Sequence, residues 1–528
     1  MRNNISAVVL SAAICTGLYS QSLGQATRPT TGQASPRSGL IDPYTEKFRP
    51  QFHFSPRSHW MNDPNGMVFF RGVYHLFFQY YPGDIVWGPM HWGHAVSKDL
   101  IHWQELPIAL FLDSLGYIFS GSAVVDSGNT SGFGKHGQIP LVAIFTQHDP
   151  IGEKKGAVNF QNQSIAYSLD EGKTWTKYEN NPVLKNPGIR DFRDPKVTWY
   201  APAKKWVMTL AVTDHIEFWS SPDLKSWTKE SDFGVGTGAH GGVWECPDLF
   251  PMELDGSTYW VLLVSINPGG PNGGSGTQYF IGRFDGKEFL LPGDLRPSGE
   301  TSDGSGAKWI DYGPDDYAGV TWGNTGRRRI FLGWMSNWLY AGQVPTSSWR
   351  SAMTIPRELR LQRSGGDIYL LSRPVKEFAA LTSGHRQYSQ PQVSAANADN
   401  AAGLYMVKFQ APEDKDLTIT LSNDAGEQLI LGYEKETGRY FMDRSRGGKT
   451  DFNPDFPKKA YSPRLSAAAK INISLLVDAS SAELFADDGL TVMTILFFPS
   501  RPLSKVAARS GTQSLRPLSR IPVRSVWP

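Results

Sequence analysis

One short phrase occurs three times in the chain, and it limits the possible folds more than any other feature. Ser97-Lys98-Asp99-Leu100-Ile101-His102-Trp103 is similar to Ser221-Pro222-Asp223-Leu224-Lys225-Ser226-Trp227, and Ser168-Leu169-Asp170-Glu171-Gly172-Lys173-Thr174-Trp175 repeats it with one insertion. In each copy the Asp carboxylate can close a turn by accepting backbone N–H groups, and the Trp can pack between neighbouring sheets. Between the copies run short segments rich in aromatic and β-branched residues, such as Met67–Phe70, Tyr74–Gln79, Leu141–Thr146, Trp206–Val212, Tyr259–Ser265 and Ile330–Met335. Amphipathic helical periodicity is missing from this stretch. One hairpin signature repeated at intervals of about 50 to 70 residues predicts a β-propeller, in which every sheet is one unit of the repeat. The alternative is an ordinary sandwich with unrelated Asp turns.

A chain of 528 residues is long enough for two domains. Its 53 Gly and 36 Pro suit many short strands joined by turns. After Pro356-Arg357-Glu358-Leu359 the composition shifts toward Ala, Ser and small polar residues, and Trp disappears until Trp527. Alternating runs at Asp416–Ser422, Ile471–Val477 and Thr491–Phe498 predict a β-sandwich there. The expected fold class is therefore all-β: a propeller over residues 47–365, then a C-terminal β-sandwich over 366–528. The last 28 residues carry six Arg or Lys and no acid, but the interleaved Leu, Ile and Val favour strands with a solvated face.

The N-terminus reads as an export signal. Arg2 precedes the apolar run Ile5 to Ile14, too short to span a bilayer, and Gly24 and Ala26 suit cleavage after residue 26. Residues 27–46, rich in Thr, Ser, Pro, Gly and Gln, read as a flexible leader. Cys15 is a poor match to a lipoprotein cleavage site, so a secreted or periplasmic protein is expected rather than a lipoprotein. Only Cys246 would remain after cleavage, so no intramolecular disulfide is expected. No membrane insertion is expected, and a net charge of +2 gives no reason to expect a nucleic-acid partner. The 17 Trp suit core filling, and flat aromatic faces also suit binding of sugar rings.

Three carboxylates stand in unusual contexts. Asp63 lies in Trp60-Met61-Asn62-Asp63-Pro64-Asn65-Gly66, where Pro and Gly argue for a turn between strands. Asp194 lies in Phe192-Arg193-Asp194-Pro195, and Glu245 in Trp244-Glu245-Cys246-Pro247-Asp248. Apolar neighbours would raise the pKa of Glu245, which a general acid needs. Each motif alone is ambiguous, since turns, surface ion pairs and strand-edge acids are common.

Taken in order, the set closely resembles glycoside hydrolase family 32, which includes invertases, inulinases and levanases. The resemblance runs from Phe52 to about Pro499. It takes in Phe77-Phe78-Gln79-Tyr80, Trp87 to His94, Phe119-Ser120-Gly121-Ser122, Asp311-Tyr312, Trp334 to Trp338, Trp349 to Met353 and Ala482 to Gly489. It implies a five-bladed propeller followed by a sandwich, and a retaining hydrolase of terminal β-fructosyl units. By the same resemblance, Asp63 is implied as nucleophile and Glu245 as acid/base. Asp194 is implied as a transition-state stabiliser, with Arg193 keeping it ionised. Met61 belongs to the first motif. Asn62, Gln79 and Ser120 would bond sugar hydroxyls, and Trp60, Trp87, Phe119 and Trp338 would wall the pocket, with Trp334 an equally placed candidate for the last position. The expected partner is a carbohydrate, a fructan or sucrose. No cofactor or metal is expected, and His91, His94, His102 and His136 form no convincing ligand cluster. A fructosyltransferase would use the same trio through the same intermediate, and a non-catalytic sugar-binding protein would have no need of it.

Overall fold

The computed structural model describes residues 44–295, 307–382, 403–515 and 519–527. The expected export signal, and the leader up to residue 43, lie outside the described residues. The chain is already packed at Tyr44, inside the stretch expected to be a flexible leader. The Tyr44 ring stacks on Trp527 at 3.8 Å, and Glu46 bonds Arg49 and Ser348.

Five four-stranded antiparallel sheets follow one another in chain order, some with short added strands. Their first strands are His59–Phe70, Tyr117–Val125, Phe192–Tyr200, Val243–Leu254 and Tyr317–Thr321. Each first strand packs against the first strand of the next sheet, and the fifth packs against the first. That closed ring is a five-bladed propeller with the first strands innermost. The ring closes through backbone bonds in both directions: Phe69 N–H donates to Gly323 O and Gly323 N–H to Met67 O, each at 2.9 Å.

The recurring phrase joins the third strand to the fourth in blades one, two and three. Asp99 accepts from the backbone N–H of Ile101 and His102 at 3.0 and 2.8 Å, and Trp103 Nε1 donates to Leu100 O. Asp223 repeats this with Lys225 and Ser226 at 2.9 and 2.8 Å, and Trp227 donates to Leu224 O. Leu100 and Leu224 share a left-handed φ of 66° and 65°. In blade two, Asp170 accepts from Thr174 N–H, and Trp175 bonds Gly172 O. Blade four holds a degenerate fourth copy, Phe284-Asp285-Gly286-Lys287-Glu288-Phe289. There Asp285 accepts from Lys287 and Glu288 N–H, and buried Phe289 stands where the others have Trp.

Blade five extends past the expected boundary at residue 365. Arg357–Ser364 and Asp367–Pro374 pair throughout, joined by Gly365 and Gly366 at φ 59° and 94°, so the boundary falls inside a hairpin turn. The change in composition at that point marks no change of fold.

After Pro374 come the two facing sheets of a β-sandwich, one of five strands and one of six. The basic C-terminal stretch supplies a strand to each: Lys505–Ser510 pairs with Leu417–Ser422, and Ser519–Pro522 with Tyr405–Pro412. Between propeller and sandwich lies a buried charge network. Arg357, fully buried, pairs with Asp311 and Asp316 of the propeller and Glu483 of the sandwich. Glu483 also accepts from His53 Nε2 at 2.7 Å, and His53 Nδ1 bonds Asp478 at 2.7 Å. A second cation, Arg444 of the sandwich, reaches Asp315 and the Tyr340 hydroxyl at 2.6 and 2.8 Å.

This network makes stability depend on pH. Burial alone would lower the His53 pKa, but bonds to Asp478 and Glu483 win and raise it to about 9 from 6.5. Burial alone would raise the Glu483 pKa, but Arg357 and His53 pull it down to about 2 from 4.5. A raised His pKa stabilises the fold fully below about 6.5, and that contribution is lost as pH climbs through 9; a depressed Glu pKa stabilises above about 4.5, and that contribution is lost as pH falls through 2. The melting temperature should therefore be highest between these limits and fall from pH 6.5 to 9. His53→Gln should melt lower at pH 6 and show a flatter alkaline slope. An unchanged slope in the variant would contradict this account.

Candidate active site

Because each innermost strand is the first of its blade, the starts of all five lie at one end of the ring. Every candidate carboxylate sits near such a start, at a place where the ladder slips. Register shifts occur between Met61 and Pro64, Ile118 and Gly121, Glu245 and Asp248, and Tyr317 and Val320. In blade three the shift falls between Arg193 and Lys196, opposite Ala211 and Thr209. A bulge re-aims side chains that a regular strand would alternate between faces. Asp194, Cys246 and Ala318 hold left-handed backbone at φ 64°, 45° and 53°.

Asp63 was expected in a turn between strands. Instead it lies within the continuous strand His59–Phe70, and the bulge there accommodates Pro64. Its carboxylate accepts from Ser120 Oγ at 2.6 Å and Asn62 Nδ2 at 2.9 Å, while Asn62 Oδ1 takes Trp60 Nε1 at 2.8 Å. Burial and then the charge of Glu245 push the Asp63 pKa up, and the Ser120 and Asn62 bonds oppose them.

Arg193 does not pair with its neighbour Asp194. Its guanidinium reaches Glu245 Oε1 at 3.0 and 3.1 Å and Asp191 at 2.6 Å, braced by Gln161. Asp194 instead accepts from Cys246 N–H at 3.1 Å, and its own N–H donates to Thr146 Oγ1. Burial outweighs the charge of Arg193 and, with Glu245 and Asp63 nearby, raises the Asp194 pKa to about 7.

Glu245 is not in apolar company either. Its oxygens take Arg193 and the Tyr317 hydroxyl. Trp244 turns away to donate to Ala239 O, and the Cys246 thiol lies 3.6 Å from both Asp63 Oδ2 and Asp194 Oδ2. Tyr317 was not anticipated, and no local sequence signal marks it. It reaches the site because blade five's innermost strand begins there.

Gln79 lies in the second strand of blade one, across from the bulge that carries Asp63. Gln79 Nε2 and Trp334 Nε1 are buried donors without a protein partner, each free to donate to an oxygen that reaches it. Trp338 is partly exposed and packs against Trp60 and Trp334, both fully buried behind it. Of the two Trp candidates for the wall, Trp338 is the one with an open face. Phe119 is partly exposed, and Trp87 is exposed at 6.1 Å from it. Met61 is fully buried in the apolar core and has only a packing place.

His75 and His94 bond each other and are buried, and His91 bonds Pro89 O. His215, Glu217 and Asp232 converge closely enough for a cation, but the Lys229 ammonium already pairs with both carboxylates.

A ring of five sheets with three carboxylates and their donors at one mouth is an arrangement suited to acid/base chemistry. Residues 53–374 match the glycosyl hydrolases family 32 N-terminal domain, and 377–524 match the family's C-terminal domain. The levanase of Bacillus subtilis is 45% identical, over 92% of this chain and 72% of its own. An extracellular exo-inulinase of Aspergillus niger is 40% identical, over 87% and 90%. The crystal structure of exo-inulinase from Aspergillus awamori superposes with a TM-score of 0.83 at 36% identity, over 92% of this chain and all of that one. The β-fructofuranosidase of Schwanniomyces occidentalis complexed with fructosyl-erythritol gives 0.78 at 30%, over 92% and 99%. The chain belongs to glycosyl hydrolases family 32.

Burial, then Asp194, Asp63 and Glu245, hold the Cys246 thiol well above its ordinary pKa. A thiol kept protonated and enclosed is a poor nucleophile. In the folded protein at pH 7.5, peptide mass spectrometry should find Cys246 unmodified by iodoacetamide, with full reaction after denaturation. Labelling of the native protein at the rate of a free thiol would contradict this geometry.

Proposed function

We propose that this protein is a secreted exo-acting hydrolase that removes terminal β-D-fructofuranosyl units from fructans and sucrose with retained configuration. The observation that carries the reading is the convergence of Asp63, Asp194 and Glu245 on one thiol and one guanidinium at the propeller mouth. The levanase, exo-inulinase and β-fructofuranosidase relatives support the substrate class, and the extracellular exo-inulinases support secretion.

In the proposed mechanism Asp63 attacks the anomeric carbon of fructose. The new carbon–oxygen bond forms as the glycosidic bond breaks, and Glu245 gives its proton to the departing oxygen. Water, deprotonated by Glu245, then attacks the fructosyl-enzyme and frees Asp63. Such a pair of carboxyls works at roughly 5 Å separation. Asp194 bonds the sugar hydroxyls, and its interaction strengthens as positive charge develops on the ring. Arg193 and Tyr317 fix the Glu245 carboxyl in place, and Ser120 and Asn62 fix that of Asp63. Gln79 Nε2 has a donor to offer to a hydroxyl, and Trp338, Phe119 and Trp87 offer flat apolar faces.

Asp63→Ala should lose roughly a thousandfold or more in turnover on every fructoside, whatever its leaving group. Glu245→Ala should still be fructosylated by a substrate whose leaving group needs no proton, and azide should then restore turnover with the β-configuration kept. Chromatography and NMR of the products check both. Normal sucrose hydrolysis by Glu245→Ala, or azide rescue of Asp63→Ala with retention, would reverse the assignment.

Ser120→Ala provides a pH test. The Ser120 bond favours ionised Asp63, so its loss should raise that pKa further. The acidic limb of kcat/KM should then move to higher pH. A limb that stays in place would remove the ionisation of Asp63 from control of the rate.

A further inference from the structure

Strand direction decides which loops surround the mouth. Each innermost strand starts at the mouth, so in each blade the second-to-third connection and the exit of the fourth strand return there. In blades one and two these are residues 82–90, 111–116 and 149–160. Eleven large apolar side chains are exposed among the described residues, and seven of them lie on these three loops. A soluble surface seldom gathers apolar groups in one place without a binding role.

The short turn 111–116 carries Phe111 at 56% exposed and Leu115 at 42%. Its backbone is braced from both sides. Asp113 and Gly116 exchange backbone bonds, and the Asp113 carboxylate accepts from Leu115 N–H and Gln147 Nε2, both at 2.8 Å. Lys177 Nζ donates to Asp113 and to the Phe111 carbonyl. Among the described residues the Phe111 ring meets one other ring, the edge of His91 at 5.6 Å, and most of it faces outward from a braced backbone. The turn leads directly into Tyr117, Phe119 and Ser120, and Ser120 bonds Asp63. The platform is thus continuous with the pocket: Trp87 meets Phe119, and Phe119 stacks on His148 at 4.3 Å.

We propose that Phe111 and Leu115 form a chain-holding surface for the fructose units beyond the one being released. This deepens the proposed function and rests on it. Exposed apolar faces on a braced turn, beside polar groups, suit a sugar chain, whose rings present C–H faces and hydroxyl edges in alternation. Sucrose has one ring beyond the scissile bond and would gain little from a platform at the outer rim. A fructan has many.

The test compares levan, inulin and sucrose with the full protein. For Phe111→Ala, KM on the polymers should rise about fivefold with kcat held, while sucrose kinetics stay within about twofold, the loss expected for one stacking contact. Phe111→Tyr should retain polymer affinity. Leu115→Ser, on the same turn, should lower polymer affinity in the same sense and serves if Phe111→Ala folds poorly. Equal losses on polymers and sucrose, or no change on either, would overturn the inference while leaving the activity standing. A change confined to oligomeric state in analytical ultracentrifugation would overturn it in favour of a protein contact. Release of no fructose by the wild-type protein from any of the three would overturn the activity itself and this inference with it.

Discussion

Arg357 is the residue on which the arrangement of both domains turns. A guanidinium with no exposure has given up its hydration, at a cost of several kcal/mol per ion, and only excellent geometry can offset that. Here three carboxylates surround it, two from the propeller and one from the sandwich, and Thr494 adds a hydroxyl. Removing the cation would leave Asp311 and Glu483 as buried charges without their main partner. The consequences reach the site through the backbone. Glu483 also accepts from Ile355 N–H, and the segment before it is sewn to blade one, with Met353 N–H on Phe54 O and His59 N–H on Ser348 O. His59 and Trp60 pair in parallel with Trp349 and Arg350, and Trp60 positions Asn62, which bonds Asp63. The sandwich therefore holds the entry of the strand that carries Asp63, although it places no side chain among the site residues described above.

The second constraint is the ring itself. Five strands starting at one end bring their first residues together, but a regular strand would send alternate side chains into the sheet-to-sheet core. The bulges resolve this conflict. Each adds residues that break the alternation, so that Asp63, Asp194, Glu245 and Tyr317 turn to a common space. The left-handed φ of Asp194, Cys246 and Ala318 costs free energy at non-glycine residues, and the packed ladders on either side hold it. The rigid sheets provide the scaffold, and the irregular residues provide the site.

This division explains what could be read in the sequence. The Asp-to-Trp phrase is a local object: its hydrogen bonds span only two to four residues, so its chemistry is visible in the string and the blade repeat follows from it. The fourth copy lacks this mark in the string, because Phe289 replaces the Trp of the others. Partners across the ring have no such local trace. Arg193 stands next to Asp194 in the chain yet serves Glu245, 52 residues away, and Tyr317 meets Glu245 from 72 residues away. Some motifs that carry the resemblance serve the packing of the two domains. Asp311 and Glu483 lie in the charge network between the domains rather than at the mouth. A match to a family's motifs carries structural and functional residues together, and only the coordinates separate them.

The placement of Arg193 also accounts for how three carboxyl groups can share so small a space. Three full negative charges there would repel strongly, and one cation cannot neutralise them all. Its preference for Glu245 and Asp191 leaves the other two with different support. Asp63 receives a hydroxyl and an amide, Asp194 a backbone N–H and a thiol, and Glu245 a guanidinium and a phenol. Chemically similar groups are thereby given unequal support. Such inequality of support is what the proposed division of roles needs, with Asp63 as nucleophile and Glu245 as proton carrier. It arises from the donors that the fold delivers to each group, and those donors come from blades one to five alike.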